Sequence, residues 1–242
     1  MAGSRSTRGV GLRESPATTT ATVRVAALVP AYQAAPHLGP VLAGIRAHLP
    51  ADAIFVVDDG STDATAEVAR AAGVRVLQHE RNRGKGAALL TGFEAASAAG
   101  FTHVITLDAD GQHPPDCIPS FLAALPAAEI VVGSRLHDAA TMPRDRLFSN
   151  RATAVILGAL ARQTILDGQS GYRSYELATV RRIQFEARGF MFESEILIKA
   201  SRLGARIAHV EIPCVYGDQG SHINKTRNTL QFLALVGRSF FW

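Results

Sequence analysis

Cysteine is nearly absent: the chain holds only Cys117 and Cys214, with no Cys-x-x-Cys pair and no histidine cluster at zinc spacing. A disulfide framework and a structural zinc site are therefore excluded, and a reducing, cytoplasmic setting is expected. A strong excess of one charge is missing too. Lys and Arg total 25 against 21 Asp and Glu, a net of +4. That excess permits anionic ligands or a membrane surface, but does not mark a nucleic-acid binder. No apolar run reaches the ~18 uninterrupted residues of a membrane-crossing helix. The residues before Val23 lack the apolar centre of a secretory signal. What the 242 residues do have is core-forming material, 47% hydrophobic against 19% charged, which excludes a disordered or fibrous chain.

Residues 1–22 are Gly, Ser, Thr, Ala and Arg with almost no bulky apolar side chain, and read as a disordered tail. From Val23 a short apolar run ends at Pro30, as a buried parallel strand does. Further strands are expected over 53–57, 74–77, 104–107 and 130–132. Helices are expected over 38–48, from a Ser61 or Thr62 cap to Ala72, and over 85–99. This alternation predicts βαβ units around a mostly parallel central sheet flanked by helices. Beyond Gly133 it weakens: helices are expected at 149–165 and 191–203, a strand at 206–212, and loops at 167–171 and 217–224. A folded domain is thus read over 23–224, followed by an amphipathic helix over 225–242. Cys117 and Cys214 read as core residues.

Open parallel sheets bind ligands at the carboxyl ends of their strands. Two acidic clusters fall there, Asp58-Asp59 and Asp108-Ala109-Asp110. An isolated Asp-x-Asp is usually a turn, but two clusters at matching strand ends point to a site for a hard divalent cation. Gly84-Lys85-Gly86 lacks the spacing of a P-loop. Its glycines let backbone approach a phosphate while Lys85 supplies charge.

In order along the chain stand Val29-Pro30-Ala31-Tyr32, Val57-Asp58-Asp59-Gly60-Ser61-Thr62-Asp63, Asn82-Arg83-Gly84-Lys85-Gly86, Leu107-Asp108-Ala109-Asp110-Gly111-Gln112-His113, Val132-Gly133-Ser134-Arg135 and Asp167-Gly168-Gln169-Ser170-Gly171-Tyr172-Arg173. This set resembles the motifs of family 2 glycosyltransferases, in particular the dolichyl-phosphate mannose synthases and related polyprenyl-phosphate sugar transferases. The resemblance implies a GT-A, Rossmann-like α/β fold. It implies an inverting transfer of sugar from a nucleotide-sugar, GDP-mannose or a UDP-sugar, to a polyprenyl phosphate. Pro30, Tyr32 and Asp59 would then line the base and ribose pocket, and Lys85 would meet the donor. Asp108 and Asp110, with Gln112 assisting, would face Mg²⁺ or Mn²⁺ and the donor diphosphate, and Asp110 would also be catalytic. Arg135 and Arg146 would approach the acceptor phosphate, although Arg144 and Arg151 compete with Arg146. Ser170, Arg173 and Glu193 would bind substrate, with Glu195 a weaker candidate than Glu193. One departure stands out. The family often has Asn-Glu after the tyrosine, and this chain has Gln33-Ala34, so a carboxylate expected near the nucleoside is missing.

His113 is open between a ligand or proton-transfer role and ordering its loop. A hydroxyl acceptor would require a base, drawn from Asp110, Glu193 or His113. A nucleotidyltransferase that makes nucleotide-sugars is a third reading, disfavoured because its Gly-rich loop does not follow the first strand. Leu230 to Trp242 is largely apolar after Lys225 and Arg227, yet as a helix it extends only about 20 Å. It cannot span a bilayer. It is expected to lie in the interface at the cytoplasmic face, with Phe240, Phe241 and Trp242 among the headgroups.

Overall fold

The computed structural model describes residues 22–137, 142–186, 189, 191–215 and 225–242, the first three of the last segment in backbone only. Apart from Thr22, the expected tail lies outside the described residues, as does the loop expected at 217–224. The strands are β1 (Val25–Ala31), β2 (Ile54–Asp58), β3 (Arg75–Gln78), β4 (His103–Thr106), β5 (Ile130–Ser134), β6 (Arg173–Glu176) and β7 (Ile207–Glu211). The helices are α1 (Ala35–Arg46), α2 (Thr65–Ala71), α3 (Lys85–Ala98), α4 (Ile118–Ala124), α5 (Arg144–Ala161), α6 (Leu177–Val180), α7 (Met191–Arg202) and α8 (Lys225–Ser239).

The seven strands form one sheet in the order β3-β2-β1-β4-β6-β5-β7. Every neighbouring pair is parallel except those of β6, which runs antiparallel to both β4 and β5. Alternate residues of each central strand feed opposite faces, so β1 sends Leu28 to one core and Val29 to the other. The first core joins Leu28, Phe55, Val104 and Tyr175 to Leu89 and Phe93 of α3 and Ile196 of α7. The second joins Val29, Val56 and Ile105 to Leu38 and Leu42 of α1 and Phe121 of α4. Burying each such side chain contributes about 1.5–3 kcal/mol. The result is a sheet covered on both faces, with strand order reversing between β1 and β4, where a ligand crevice is expected.

Three local departures from the sequence reading have physical causes. Ser61 and Thr62 do not cap α2. Their hydroxyls instead accept hydrogen bonds from Gln33, at 2.9 Å from its backbone N–H and 2.8 Å from Nε2. Gln33 thereby holds a left-handed φ of 52°, a conformation that costs a non-glycine residue energy and persists only when braced. The Asp63 carboxylate ties the start of α2 instead, accepting the Thr65 and Ala35 backbone N–H groups. Helix α5 begins at Arg144 rather than Ser149. Cys117 and Cys214 are half-buried rather than fully in the core.

Helix α8 packs on α7, burying Leu235 and half-burying Phe232 and Trp242 against the first core. Lys199 Nζ sits 4.2 Å over the Trp242 ring, and Arg202 Nη1 donates to the carbonyls of Ser239 and Trp242. Trp242 is thus held by the protein rather than offered to headgroups. Phe240 and Phe241 remain 72% and 91% exposed, alongside Leu230 and Leu233.

Candidate active site

The crevice at the carboxyl edge is built from segments distant in sequence. β4 ends in Thr106 and runs through Leu107 into the Asp108–Asp110 turn. α3 starts at Lys85, directly after Gly84, whose φ of 92° only glycine adopts without strain. Because β6 is antiparallel, its first residue rather than its last lies at this edge, with Thr106 and Val132 both registered on Arg173. The 167–172 loop is thereby delivered beside the Asp108 turn, and α7 adds Glu193 from its first turn.

These segments converge on one ammonium. Lys85 Nζ lies 2.6 Å from Asp108 Oδ1 and 3.3 Å from Glu193 Oε2. Burial works against the lysine's charge, but the two carboxylates outweigh it and raise its pKa above the ordinary value. Burial likewise opposes ionisation of Asp108, and Lys85 with His113 overcomes it, holding that carboxyl at about 2. Asp108 sits deep in the cleft yet keeps 32% of its side chain open to solvent. Glu193 is buried, and its Oε1 has no hydrogen-bond partner. Gly171 is the floor beneath all three. A Cβ there would lie 2.7 Å from Lys85 Nζ, 3.1 Å from Asp108 Oδ2 and 3.2 Å from Glu193 Oε1.

Around this cluster the loops are fixed by buried carboxylates. Asp59 accepts the backbone N–H groups of Arg83 at 2.9 Å and Gly84 at 2.7 Å, and pairs with His79 Nδ1 at 2.6 Å. It therefore sets the turn that aims Lys85. Asp167, fully buried, accepts Arg135 Nε at 2.8 Å and Nη2 at 3.0 Å, a two-point grip on the guanidinium. It also takes the backbone N–H groups of Gln169 and Ser170. Asp110 Oδ1 accepts the Gln112 N–H at 2.9 Å, tightening the turn after Asp108.

Residues 26–189 match the family described as glycosyl transferase family 2. The chain belongs to that family. It is 32% identical over 209 residues to an undecaprenyl-phosphate mannosyltransferase of Micrococcus luteus, covering 82% of this chain and 86% of that protein. It is 29% identical to a polyprenol monophosphomannose synthase of Mycolicibacterium smegmatis, covering 90% and 86%. Among solved structures it shares a fold with glucosyl-3-phosphoglycerate synthase of Mycobacterium tuberculosis bound to uridine diphosphate. The TM-score is 0.73 at 22% identity, over 90% of this chain and 80% of that one. Another structure of that synthase, holding Mn²⁺, uridine diphosphate and glucosyl-3-phosphoglycerate, aligns with a TM-score of 0.65 at 22% identity, over 90% of this chain and 77% of that one. The protein is an enzyme with the GT-A fold expected from the sequence.

Within this crevice Lys85 contacts both Asp108 and Glu193, while other sequence candidates are placed apart or used differently. Tyr32 is 51% exposed at the end of β1, next to half-buried Pro30. Arg146 is exposed on the first turn of α5. Arg173 is wholly buried and donates to the carbonyls of Ser170, Gly168 and Glu193. It ties the loop to α7 instead of facing a substrate. Ser170 is buried beneath it. Glu195 turns away from the crevice, paired with Lys199 at 2.7 Å and accepting the Glu186 N–H. His113 Nδ1 accepts the Asp108 backbone N–H at 2.9 Å, so it orders the turn with that nitrogen unprotonated. Burial first, and Lys85 nearby, press its pKa below the ordinary value despite Asp108. The residues missing from the sequence candidates are Asp167, His79 and Gly171. Asp167 and Gly171 carried a signal, as members of the Asp167 to Arg173 motif, whereas His79 carried none.

Proposed function

We propose that this enzyme transfers a sugar, with inversion, from a nucleotide-sugar to a polyprenyl phosphate. The supporting observation is the Lys85–Asp108–Glu193 cluster at the switch in strand order, in a chain resembling enzymes named for lipid-phosphate acceptors. A divalent cation fits this donor set. Asp108 and Asp110 present hard oxygens from one turn, and Asp108 is ionised and partly open. Among the described residues no three acidic, histidine or cysteine side chains converge into a complete ligand set. That suits an ion completed by water and donor phosphates. Asp108 and Asp110, with Gln112 beside them, would hold Mg²⁺ or Mn²⁺, and such an ion would supply positive charge against a nucleoside diphosphate leaving group.

The chain's own groups do the rest. Lys85 brings three N–H donors to the diphosphate side of the crevice. Arg135, its guanidinium oriented by Asp167, offers a planar fork to a phosphate. A phosphate acceptor is already ionised at neutral pH and needs positioning rather than a strong base. His113 supports that reading, since its Nδ1 is committed to the Asp108 backbone. The base and ribose are assigned to Pro30, Tyr32 and the Asp59-braced turn, and the acceptor to Arg135, with Arg146 at the outer edge. No described helix is long and apolar enough to cross a membrane. Contact with a lipid-borne acceptor is therefore assigned to the exposed Leu230, Leu233, Phe240 and Phe241 of the α8 segment, at the cytoplasmic face.

The test is a panel of GDP- and UDP-sugars offered with a short polyprenyl phosphate, with Mn²⁺, with Mg²⁺ and with chelator. Transfer to the lipid phosphate from one donor, abolished by chelator, is expected. Transfer only to a hydroxyl-bearing acceptor would overturn the reading.

A further inference from the structure

We infer that Lys85 is an internal counter-cation that keeps a divalent metal ion off Asp108 until a nucleoside diphosphate arrives, so that metal and nucleotide enter this site together. The inference rests on the divalent-cation reading above and adds the order of assembly and the residue that imposes it.

Three observations carry it. Lys85 Nζ already occupies Asp108 Oδ1 at 2.6 Å, the distance of a direct charge-assisted hydrogen bond. A magnesium-sized ion needs its carboxylate oxygen at about 2.0–2.1 Å. Seating it on Asp108 therefore brings a doubly charged ion close to an ammonium that the fold has placed there first. Second, no cluster of three acidic, histidine or cysteine ligands exists among the described residues, so those residues do not outbid Lys85 with a complete cage. Third, the ammonium has a second seat. Glu193 Oε2 stands 3.3 Å away, and Glu193 Oε1 is buried without any hydrogen-bond partner. Lys85 can swing from Asp108 toward Glu193 without crossing apolar protein, because Gly171 leaves that path open where a Cβ would close it.

A diphosphate changes the balance in two ways. Its oxygens complete the metal's coordination, and its negative charge draws the ammonium from Asp108. Metal and nucleotide then raise each other's affinity, and by linkage they do so equally. Lys85 is thus a positioning residue for the metal as well as a donor contact, and Glu193 is its resting place.

The experiment titrates Mn²⁺ into the full chain, following loss of the free-ion paramagnetic resonance signal, alone and with saturating UDP or GDP. Wild type is expected to bind Mn²⁺ weakly alone and at least tenfold more tightly with one nucleotide, about 1.4 kcal/mol of coupling. Lys85→Met should tighten binding of Mn²⁺ alone at least tenfold and shrink the benefit of the nucleotide. Lys85→Arg, which keeps the charge, should resemble wild type. Lys85→Met combined with Glu193→Gln removes one charge of each sign and guards against a folding defect; it too should bind Mn²⁺ alone more tightly. If Lys85→Met and the double variant bind Mn²⁺ alone no better than wild type while nucleotide still promotes binding, the counter-cation role is overturned and the metal site stands. If Mn²⁺ binds none of these proteins even with nucleotide, both fall.

Discussion

Removing the Asp167 carboxylate should loosen the Arg135 side of the crevice and cost much of the protein's stability. Asp167 is fully buried and holds one edge of the Arg135 guanidinium through Nε and Nη2, the Arg135 backbone N–H, and the N–H groups of Gln169 and Ser170. Breaking a buried ion pair from one side costs about 3–5 kcal/mol. For a chain of this size that lowers the melting temperature by about 6–20 °C. Asp167→Asn keeps an acceptor oxygen but loses the charge, and should cost about 1.5–3 kcal/mol. The pH dependence follows from the carboxyl's environment. Burial opposes its ionisation, yet Arg135 and the backbone donors outweigh burial and hold its pKa below 3.8. A folded-state pKa depressed in this way gives stability that is present above the unfolded value, about 3.9, and lost as pH falls through the folded one. Thermal melts of wild type and Asp167→Asn from pH 7 down to pH 3 should therefore converge in acid. A double-mutant cycle with Arg135→Met should show coupling of about 0.5–3 kcal/mol. If Asp167→Ala melts within about 2 °C of wild type at pH 7, the assignment of this carboxylate as the loop's anchor is wrong.

Asp108→Asn should reduce sugar transfer by at least a hundredfold with a melting temperature near wild type, and transfer at wild-type rates would refute its role. Gly171→Ala places a methyl 2.7 Å from Lys85 Nζ. Overpacking there should cost about 1–3 kcal/mol and lower turnover at least tenfold, whereas unchanged turnover would show that the ammonium can be displaced harmlessly. Replacing the exposed Leu230, Leu233, Phe240 and Phe241 together by Ser should abolish co-sedimentation with anionic vesicles while sparing nucleotide binding. By contrast, Leu235→Ala, in the buried face of α8, should cost about 2–5 kcal/mol in thermal or urea unfolding; equal vesicle binding by the four-fold variant and wild type would remove α8 from the membrane reading.

The inner parallel strands were legible because they are short apolar runs buried on both faces, as in Ile54–Asp58 and Ile130–Ser134. β6 was not. Arg-Ser-Tyr-Glu has no apolar run, and it is a buried strand in which carbonyls of the 168–170 loop and of Glu193 in α7 satisfy the Arg173 guanidinium. The short helix α4 escaped notice for a related reason: seven residues with a proline in the first turn carry too little periodicity to register. Within the site, the aspartates of the β4 turn could be read from position alone, since strand ends are where such sheets bind ligands. Lys85 and Glu193 were named as substrate contacts, but their pairing with Asp108 could not be read. Glu193 and Lys85 come from different helices, and only the folded chain brings them to Asp108. Spacing likewise could not foresee that Asp59 would face the turn before α3, or that Gln33 and Thr62 would hydrogen-bond between two loops.

The reversed direction of β6 also limits how this enzyme can change. A loop leaving the end of a parallel strand hangs from one anchor and can lengthen into solvent. The 167–172 segment instead enters the sheet directly, and Arg173 must land between Thr106 and Val132. One added residue between Gly171 and Arg173 would turn the buried guanidinium toward the opposite core and expel Tyr172 from its own. A change in length here therefore disturbs the sheet register and the buried guanidinium together, which a longer loop after β2 would not do.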